Sequence, residues 1–381
     1  MVFNFKINIF ALFKYLIYIY SMILTLKIKL LPTKEQTEIL LKTLEECNSV
    51  CNSISKTAWE NKVFNQFKLH GIVYHNLKST TNLSAQSLVR CISKVSDAYK
   101  VSKTLCKFKP HGSITYDSRI LSYKETTVSI WAVGGRLKIP FICHNPSYLP
   151  YVKGEADLVY KTGKFYLFQC VDIPEDSIED IEEFIGVDFG LNSIISTSTG
   201  LDYSSSWINN YRDKQSKIRS SIQSKGTRNS RKLLKRLSGR ERTTTTIINH
   251  TISKHLVDQA KQLKKGISIE NIHNIRSTSK RRNKRFRTKL NRWSFHQLRI
   301  FIEYKCKLNG VKLVAVNPAY TSQTCSSCKH IGKRNNKIFQ CNNQNCGVDI
   351  IDADLNAANN ISLLGAAVNQ PERCSEYTCR I

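Results

Sequence analysis

Three carboxylic acids in the second half of the chain stand beside apolar runs. Asp188 lies in IGVDFGLNS, Glu270 ends the run in ISIENIHNI, and Asp354 lies in DIIDADLNAANNI. Carboxylates that converge from different elements can hold two Mg²⁺ or Mn²⁺ ions about 3.5 to 4 Å apart, where the ions clamp the attacking and leaving oxygens of a phosphodiester. A single such acid is usually a cap or a surface charge, so the prediction of a metal-dependent nuclease site depends on all three. Gly186 and Gly190 flank the first acid and are expected to let a nucleic-acid backbone approach it closely.

Four cysteines form two pairs between the second and third acids. Two residues separate Cys325 from Cys328, four separate Cys341 from Cys346, and twelve lie between the pairs. Thiolate pairs at these spacings are typical of tetrahedral Zn²⁺ with closed coordination, which is a structural and not a catalytic site. The alternatives are four unrelated thiols, two local disulfides, or His330 in place of one thiolate.

A basic run follows the second acid directly. It spans 276–292 (RSTSKRRNKRFRTKLNR) and would therefore border the cleft beside Glu270. Backbone phosphates are the natural ligands of such a run, and a solvated surface is the ordinary alternative. A second basic stretch at 225–242 would extend the same track. The predicted contact residues in the first run are Lys280, Arg281, Arg282, Lys284, Arg285, Arg287, Lys289 and Arg292.

The overall charge favours the same kind of partner. The 381 residues include 58 Lys and Arg against 29 Asp and Glu, a formal net charge of +29. This excess favours nucleic acid, and because the charge is spread along the chain we prefer nucleic acid to a membrane surface. The 13 cysteines are odd in number and mostly scattered, so we expect a cytoplasmic, nucleoid-associated protein in a reducing compartment. The sequence contains no Walker A, GxGxxG or GxSxG motif, which argues against an ATPase, a dehydrogenase or an esterase.

The first 21 residues need a separate interpretation. The segment 9–26 (IFALFKYLIYIYSMILTL) is strongly apolar, but Lys14 interrupts it and no small-residue cleavage site follows. We interpret 1–21 as an upstream extension and expect the first domain to start at Met22, so that Met1 and Met22 are both candidate starts. A membrane anchor is the alternative, and no membrane partner is expected.

The region 22–180 is predicted to be a small β-barrel with a helical insertion at about 33–106. An alternating strand at 23–31 is followed by a capping box, Thr33 to Gln36, and then by apolar residues at helical spacing. Five strand-like runs come next, separated by turn residues: ITYD, TTVSIWAV, RLKIPFI, EADLVYK and KFYLFQCVDI. The acidic segment 174–183 then marks a domain boundary.

The region 181–381 has a different order of elements. Three predicted strands (184–188, 193–199 and 201–207) are followed by a basic helical region at 214–265, a strand at 267–269, a helix at 292–308 and a strand at 312–316. A cysteine-rich insert, the predicted zinc ribbon at about 321–348, leads into a final helix at 354–364. The order βββ-α-β-α-β-α predicts an α/β domain with an RNase H-like (RuvC-like) fold.

In combination these motifs resemble the RuvC-like nuclease half of the TnpB (OrfB) proteins of insertion sequences, relatives of the type V CRISPR effectors. The resemblance is carried over about 184–365 by GVDFGLNSI, the strand of Glu270, NPAYTSQTCSSCKH, the second cysteine pair and DADLNAANNI. Before that, KIKLLPTKEQ resembles the opening strand and helix of the family, and the β-rich region resembles its wedge domain. The four-residue gap between Cys341 and Cys346 is a departure, because many members have two residues there.

The resemblance implies an RNA-guided DNA endonuclease. A guide RNA derived from the transposon end would pair with target DNA, and the protein would read a short flanking motif. The implied catalytic acids are Asp188, Glu270 and the aspartate before x-N-A-A, which is Asp354, with Asp352 as the alternative. The implied cofactors are catalytic Mg²⁺ or Mn²⁺ and structural Zn²⁺. Three other functions stay open: a non-catalytic nucleic-acid-binding accessory protein or repressor, a strand-joining transposase, and an RNase.

Overall fold

The computed structural model describes residues 21–178, 181–272, 283–348 and 350–369. The chain separates into two compact units between Pro174 and Glu175. The predicted extension lies outside the described residues except for Ser21, which opens the first strand. Within the described ranges, no helix is both long enough and apolar enough to span a bilayer.

The first unit is built on one antiparallel sheet. Its strands are β1 (Ser21–Leu30), β2 (Ile114–Tyr116), β3 (Leu121–Lys124), β4 (Thr127–Ala132), β5 (Gly135–Cys143), β6 (Val152–Lys161) and β7 (Lys164–Pro174), with a 3₁₀ turn at Pro146–Tyr151. The strand order is β2-β6-β7-β1-β5-β4-β3. The Tyr116 hydroxyl in β2 donates to the carbonyl of Trp131 in β4 at 3.0 Å, so the sheet curls into a nearly closed barrel.

Three helices are inserted between the first two strands, as predicted. They are α1 (Lys34–Glu60), α2 (Gln66–Thr80) and α3 (Ala85–Val101). The capping box at Thr33 is present, with the Thr33 and Gln36 side chains bonded to each other's backbone N–H groups. The region is not one continuous helix. The side chains of Asn65 and Ser84 accept hydrogen bonds from backbone N–H groups as N-caps, and each begins a new helix.

The second unit contains a mixed five-stranded sheet. Its elements are β8 (Phe184–Asp188), β9 (Ser193–Thr197), β10 (Asp202–Ser204), α4 (Ser206–Ser224), α5 (Arg228–Leu237), α6 (Arg240–Leu263), β11 (Gly266–Glu270), α7 (Lys284–Arg292), α8 (Phe295–Leu308), β12 (Leu313–Val316) and α9 (Ala353–Asn369). The strand order is β10-β9-β8-β11-β12. Strand β11 is parallel to both β8 and β12, whereas the pairs β8–β9 and β9–β10 are antiparallel.

The two faces of this sheet are covered in different ways. On one face, Ile185 and Ile269 pack in a buried core with apolar residues of α6 and α8, including Leu256 and Ile302. The opposite face carries small residues where Gly186 pairs with Ser268, and α9 lies there. Because side chains alternate along a strand, the β8 and β11 sequences encode a large-residue face and a small-residue face.

A small three-stranded sheet is inserted between β12 and α9. Its strands are β13 (Lys333–Asn335), β14 (Ile338–Gln340) and β15 (Ile350–Asp352), all antiparallel. This sheet and the loop from Pro318 that precedes it carry the two cysteine pairs. We call residues 318–352 the cysteine module.

Two sequence predictions in this unit need correction. The basic region predicted as one helical stretch at 214–265 is three helices, because Gly226 and Gly239 adopt positive φ angles of 61° and 84° and break the chain direction. The spacing of Ile248, Ile252, Leu256 and Leu263 also predicts an apolar stripe on this region. The stripe ends early, because Leu256 is buried but Leu263 is 46% exposed.

Candidate functional site

Two of the predicted acids lie at one edge of the sheet. Strands β8 and β11 are parallel neighbours, so their carboxyl ends meet at the same edge. The register pairs Val187 with Ile269, which sets Asp188 level with Glu270. Asp354 lies in the first turn of α9 and is only 8% exposed. The structure therefore brings together three acids that are far apart in the sequence.

The three acids are near enough to one another to affect the pKa of Asp188. Burial is the largest effect on Asp188, and the nearby Glu270 and Asp354 carboxylates add to it, so that the pKa of Asp188 rises to about 7. Burial also raises the pKa of Glu270. Arg334 opposes the rise of the pKa at both acids. Such mutual repulsion is what a bound cation would relieve.

The two aspartates of the DAD sequence have different roles. The Asp352 carboxylate accepts the backbone N–H groups of Asp354 and Leu355 at 2.9 and 3.0 Å, so it caps the start of α9. Asp354 is the one that contributes to the field at Asp188. The geometry therefore favours Asp354 over Asp352 as the third acid.

Arg334 is a site residue that the sequence did not reveal. Its Nη2 atom lies 2.5 Å from Oδ1 of Asp354. Arg334 belongs to β13 and stands outside both predicted basic runs, and in a chain with 58 Lys and Arg nothing local marks it. Only the fold of the cysteine module places this guanidinium beside the acids.

Thr321, also in the cysteine module, positions the second acid. Its hydroxyl donates to Oε1 of Glu270 at 2.6 Å. The Asn360 side chain, on α9, donates to the backbone carbonyls of Thr321 and Thr324 at 3.0 and 2.7 Å. Asn356, one turn earlier, donates to the same Thr324 carbonyl at 2.7 Å. Two asparagines of DADLNAANNI thus fix the loop 321–324, and Thr321 of that loop is hydrogen-bonded to Glu270.

The expected role of Gly186 is wrong. A Cβ atom at this position would lie 1.9 Å from the carbonyl oxygen of Ala358 and 2.4 Å from the backbone nitrogen of Ser362. The space is therefore filled by α9 and is not free for a nucleic-acid backbone. At Gly190 the nearest atom to an added Cβ is the carbonyl oxygen of Ser193, at 2.8 Å, within the turn to β9.

The four paired cysteines converge in the cysteine module. All four sulfurs lie within 4.8 Å of one another, with Cys325 to Cys346 at 3.8 Å and Cys328 to Cys341 at 3.4 Å. Four sulfurs at about 2.3 Å from a zinc ion form a tetrahedron with edges of about 3.8 Å. The separations exceed a disulfide bond of about 2.05 Å, so the donor set fits Zn²⁺ and not two bridges.

The surroundings of the four sulfurs shift the pKa values of these thiols in opposite directions. The backbone N–H of His330 is the largest of the effects that lower the pKa of Cys328 to about 5. Nδ1 of His330 lies 3.1 Å from the carbonyl oxygen of Cys328, so the histidine flanks the sulfur cluster. Thiolate is the form that binds metal, so Cys328 is held in the binding-competent state. At Cys341 and Cys346 a backbone N–H lowers the pKa, but burial and the neighbouring thiols outweigh it, and the pKa of both is raised.

Only part of the predicted basic contact surface can be placed. Lys280, Arg281 and Arg282 lie outside the described residues, as do the side chains of Lys284, Arg285 and Lys289. Two of the predicted contacts are described: Arg287 is exposed on α7, and Arg292 lies 3.6 Å from Asp213 of α4.

Comparison with known proteins points to one family. The family model "Cas12f1-like, TNB domain" matches residues 295–361, which contain α8, the cysteine module and Asp354. A TnpB-like protein of Methanocaldococcus jannaschii is 34% identical over 153 residues, covering 40% of this chain and 54% of that protein. A putative RNA-guided DNA endonuclease, InsQ of Escherichia coli, is 36% identical over 94 residues, or 23% of each chain.

In sequence the chain is similar to TnpB-like proteins and to type V CRISPR effectors. The fold agrees: the structure of a Cas12f1–sgRNA–target DNA complex matches 87% of this TnpB-like chain and 83% of that one, with a TM-score of 0.58 and 15% identity. The chain spans about half, or less, of the length of the curated relatives it matches.

Proposed function

We propose that this TnpB-like protein is an RNA-guided endonuclease that hydrolyses DNA phosphodiesters with two divalent metal ions. The observation that carries the proposal is the convergence of Asp188, Glu270 and Asp354 at one sheet edge, with raised pKa values at the first two. The order βββ-α-β-α-β-α and the strand order of the five-stranded sheet support an RNase H-like, RuvC-like domain for residues 181–381.

The three acids are the proposed ligands of Mg²⁺ or Mn²⁺. Their oxygens suit these hard cations, which supply an activated water and stabilise the leaving oxygen when bound. Asp188 and Glu270 present their carboxylates from fixed strand ends, and Thr321 fixes the rotamer of Glu270 through its hydrogen bond. Arg334 holds Asp354 and places a positive charge beside the acids, and a guanidinium is a suitable partner for a phosphate.

The cysteine module is proposed to hold structural Zn²⁺. Cys325, Cys328, Cys341 and Cys346 fill all four positions of a tetrahedral ion, which leaves none for a substrate. The metal would instead fix the loop and strand that carry Thr321 and Arg334 to the acids.

The proposed partners are a target DNA and a guide RNA from the transposon end. Two relatives support this: one is named a putative RNA-guided DNA endonuclease, and the other is a Cas12f1 seen in complex with sgRNA and target DNA. The net charge of +29 is of the sign that a complex with two nucleic acids requires. We propose that the unit up to Pro174, a wedge-like barrel with its helices, binds the guide scaffold and flanking DNA, while base pairing reads the sequence.

The decisive test compares the two aspartates of the DAD sequence. The chain is expressed with its flanking DNA, purified with its bound RNA, and given Mg²⁺ and plasmids that match the RNA beside a randomised flank. Asp354→Asn is expected to abolish cutting, as is Asp188→Asn. Asp352→Asn is the matched control, since asparagine is also a good N-cap and should preserve both the helix and the cutting.

A non-catalytic binder is the second candidate function. It predicts tight RNA or DNA binding without cutting by the wild type and by all three variants alike. Strand-transfer products in addition to cuts would favour a strand-joining transposase, and cutting of RNA alone would favour an RNase.

A further inference from the structure

Two aromatic side chains form a stacked, exposed pair at the start of α4. The ring centroids of Trp207 and Tyr211 are 5.7 Å apart and the rings are within 6° of parallel. Trp207 is 61% exposed, which is unusual for the largest apolar side chain. Tyr211 packs against the buried core of the second unit. The tyrosine thus holds the indole in one orientation while leaving its outer face to solvent.

The pair lies at the same sheet edge as the acids. Ser204, the last residue of β10, pairs with Ser193 at the start of β9. The backbone N–H of Ser205 then donates to the carbonyl of Asn192 at 2.8 Å, and its hydroxyl donates to that of Leu191 at 2.7 Å. Residues 189–192 form the turn that directly follows Asp188, so the first turn of α4 is anchored to the loop that leaves the first acid.

The surroundings of the pair are basic. Lys214 follows Tyr211 at a spacing of three, which places it on the same helical face, and it is exposed. Asp213 of α4 lies 3.6 Å from Arg292, the last residue of α7, so the end of the basic run lies against this helix. A flat aromatic surface beside cations is the arrangement that binds single-stranded nucleic acid.

We propose that Trp207, backed by Tyr211, is a stacking platform for an unpaired base of the single DNA strand that enters the acid cleft. The base would lie on the free face of the indole while Lys214 of α4 and Arg287 of α7 contact the adjoining phosphates. A base stacks whatever its sequence, so the platform would position the strand without reading it. This inference rests on the proposed nuclease function, whose strand must pass this edge to reach Asp188.

The test is a binding measurement that requires no cutting. All proteins carry Asp188→Asn, and the probe is a fluorescent oligodeoxythymidylate, titrated at several salt concentrations. Trp207→Ala is expected to weaken binding roughly 5- to 150-fold, which is the range found for removal of one stacking side chain. Trp207→Phe should retain most of the affinity because it keeps a flat ring. Ile247→Ala, which trims a 60% exposed side chain on α6, is the matched control and should change nothing.

The salt dependence separates stacking from charge. Trp207→Ala should leave the slope of log affinity against log salt unchanged, whereas Arg287→Ala should reduce its magnitude by about 1. Tryptophan emission gives a second measurement: the oligonucleotide should quench the parent protein, and Trp207→Phe should lose that quenching. This measurement keeps the test valid if Trp207→Ala fails to fold.

Several results would overturn the platform. Equal affinity of the parent and Trp207→Ala at every salt concentration would do so, as would equal losses with alanine and phenylalanine, which indicate a structural role. A loss seen with oligouridylate and not with oligodeoxythymidylate would assign the surface to RNA. Failure of the proposed function looks different, because Trp207-dependent binding would then persist while the protein with Asp188 intact does not cut.

Discussion

At the scale of single residues, the site depends on how its acids are held as much as on the acids themselves. Glu270 ends a strand, and its carboxylate is fixed by one hydroxyl, that of Thr321. Thr321 lies in a loop that two asparagines of α9 hold against that helix by hydrogen bonds. The same helix carries Asp354. The second and third acids are therefore positioned by one connected set of hydrogen bonds.

Removal of the Thr321 hydroxyl tests this connection. Thr321→Val keeps the shape of the side chain and is expected to lower the cleavage rate about 10- to 100-fold, as with other groups that orient metal ligands. The free energy of unfolding should fall by only about 0.5 to 1.5 kcal/mol, the usual net contribution of one hydrogen bond. Thr321→Ser should restore most of the rate. Cleavage kinetics and thermal unfolding of the three proteins are the measurements, and a rate for valine equal to that of wild type would exclude a positioning role.

At the scale of elements, the packing of α9 on β8 determines where the third acid lies. Gly186 and Ser268 leave a shallow face, and the helix approaches so closely that the Ser268 hydroxyl donates to the Ile361 carbonyl at 2.9 Å. Asp354 lies two turns before Ile361 on the same helix. A change in the distance between helix and sheet would therefore move Asp354 relative to Asp188.

Gly186→Ala is the corresponding prediction. The added methyl would meet the Ala358 carbonyl at 1.9 Å, and backbone cannot rotate away as a side chain can. We expect a loss of about 1 to 3 kcal/mol or more in unfolding free energy, together with loss of cleavage. The control is Gly71→Ala in α2, where an added Cβ meets nothing within 4 Å and alanine favours the helix. Circular dichroism melting curves distinguish the two, and unchanged stability of Gly186→Ala would contradict the packing argument.

The elements also show what the sequence could predict. Local signals in the sequence predict β8, the capping box at Thr33 and the order of most strands and helices. These signals are the apolar periodicity and the capping residues, which depend only on neighbouring residues. Strand β3 (LSYK) was missed, since four mixed residues carry too little pattern. The role of Gly186 was misread, because a local motif does not show which element packs against it. The place of Arg334 in the site cannot be predicted from the sequence for a similar reason. Its contact with Asp354 arises only because the fold places β13 beside α9.

At the scale of the whole molecule, the cysteine module links a proposed metal to the three acids. The module is inserted between β12 and α9, and it contributes both Thr321 and Arg334 to the acids. Its own core is small: among its described residues Cys325, Phe339 and Cys346 are the buried apolar members of the cluster, and Ala353 at the start of α9 packs with them. Apolar burial in a core of this size contributes little to holding a loop and three short strands, so we expect the proposed metal at the four cysteines to supply most of the stability of the module.

Loss of zinc is therefore predicted to abolish cleavage while the three acids remain in place in the sequence. Cys328→Ser should lower the zinc content from about one ion per chain, as expected for four-cysteine coordination, and should abolish cutting at any Mg²⁺ concentration. The expected cause is that Thr321 and Arg334 are no longer held beside Glu270 and Asp354. Because this change is confined to the second unit, the first unit should melt as in the wild type. Cys143→Ser, which changes a half-buried thiol of that first unit, is the matched control and should retain both zinc and activity. Metal analysis and plasmid cleavage test the prediction, and a Cys328→Ser protein that lacks zinc yet cuts at the wild-type rate would show that the acids are positioned without the module.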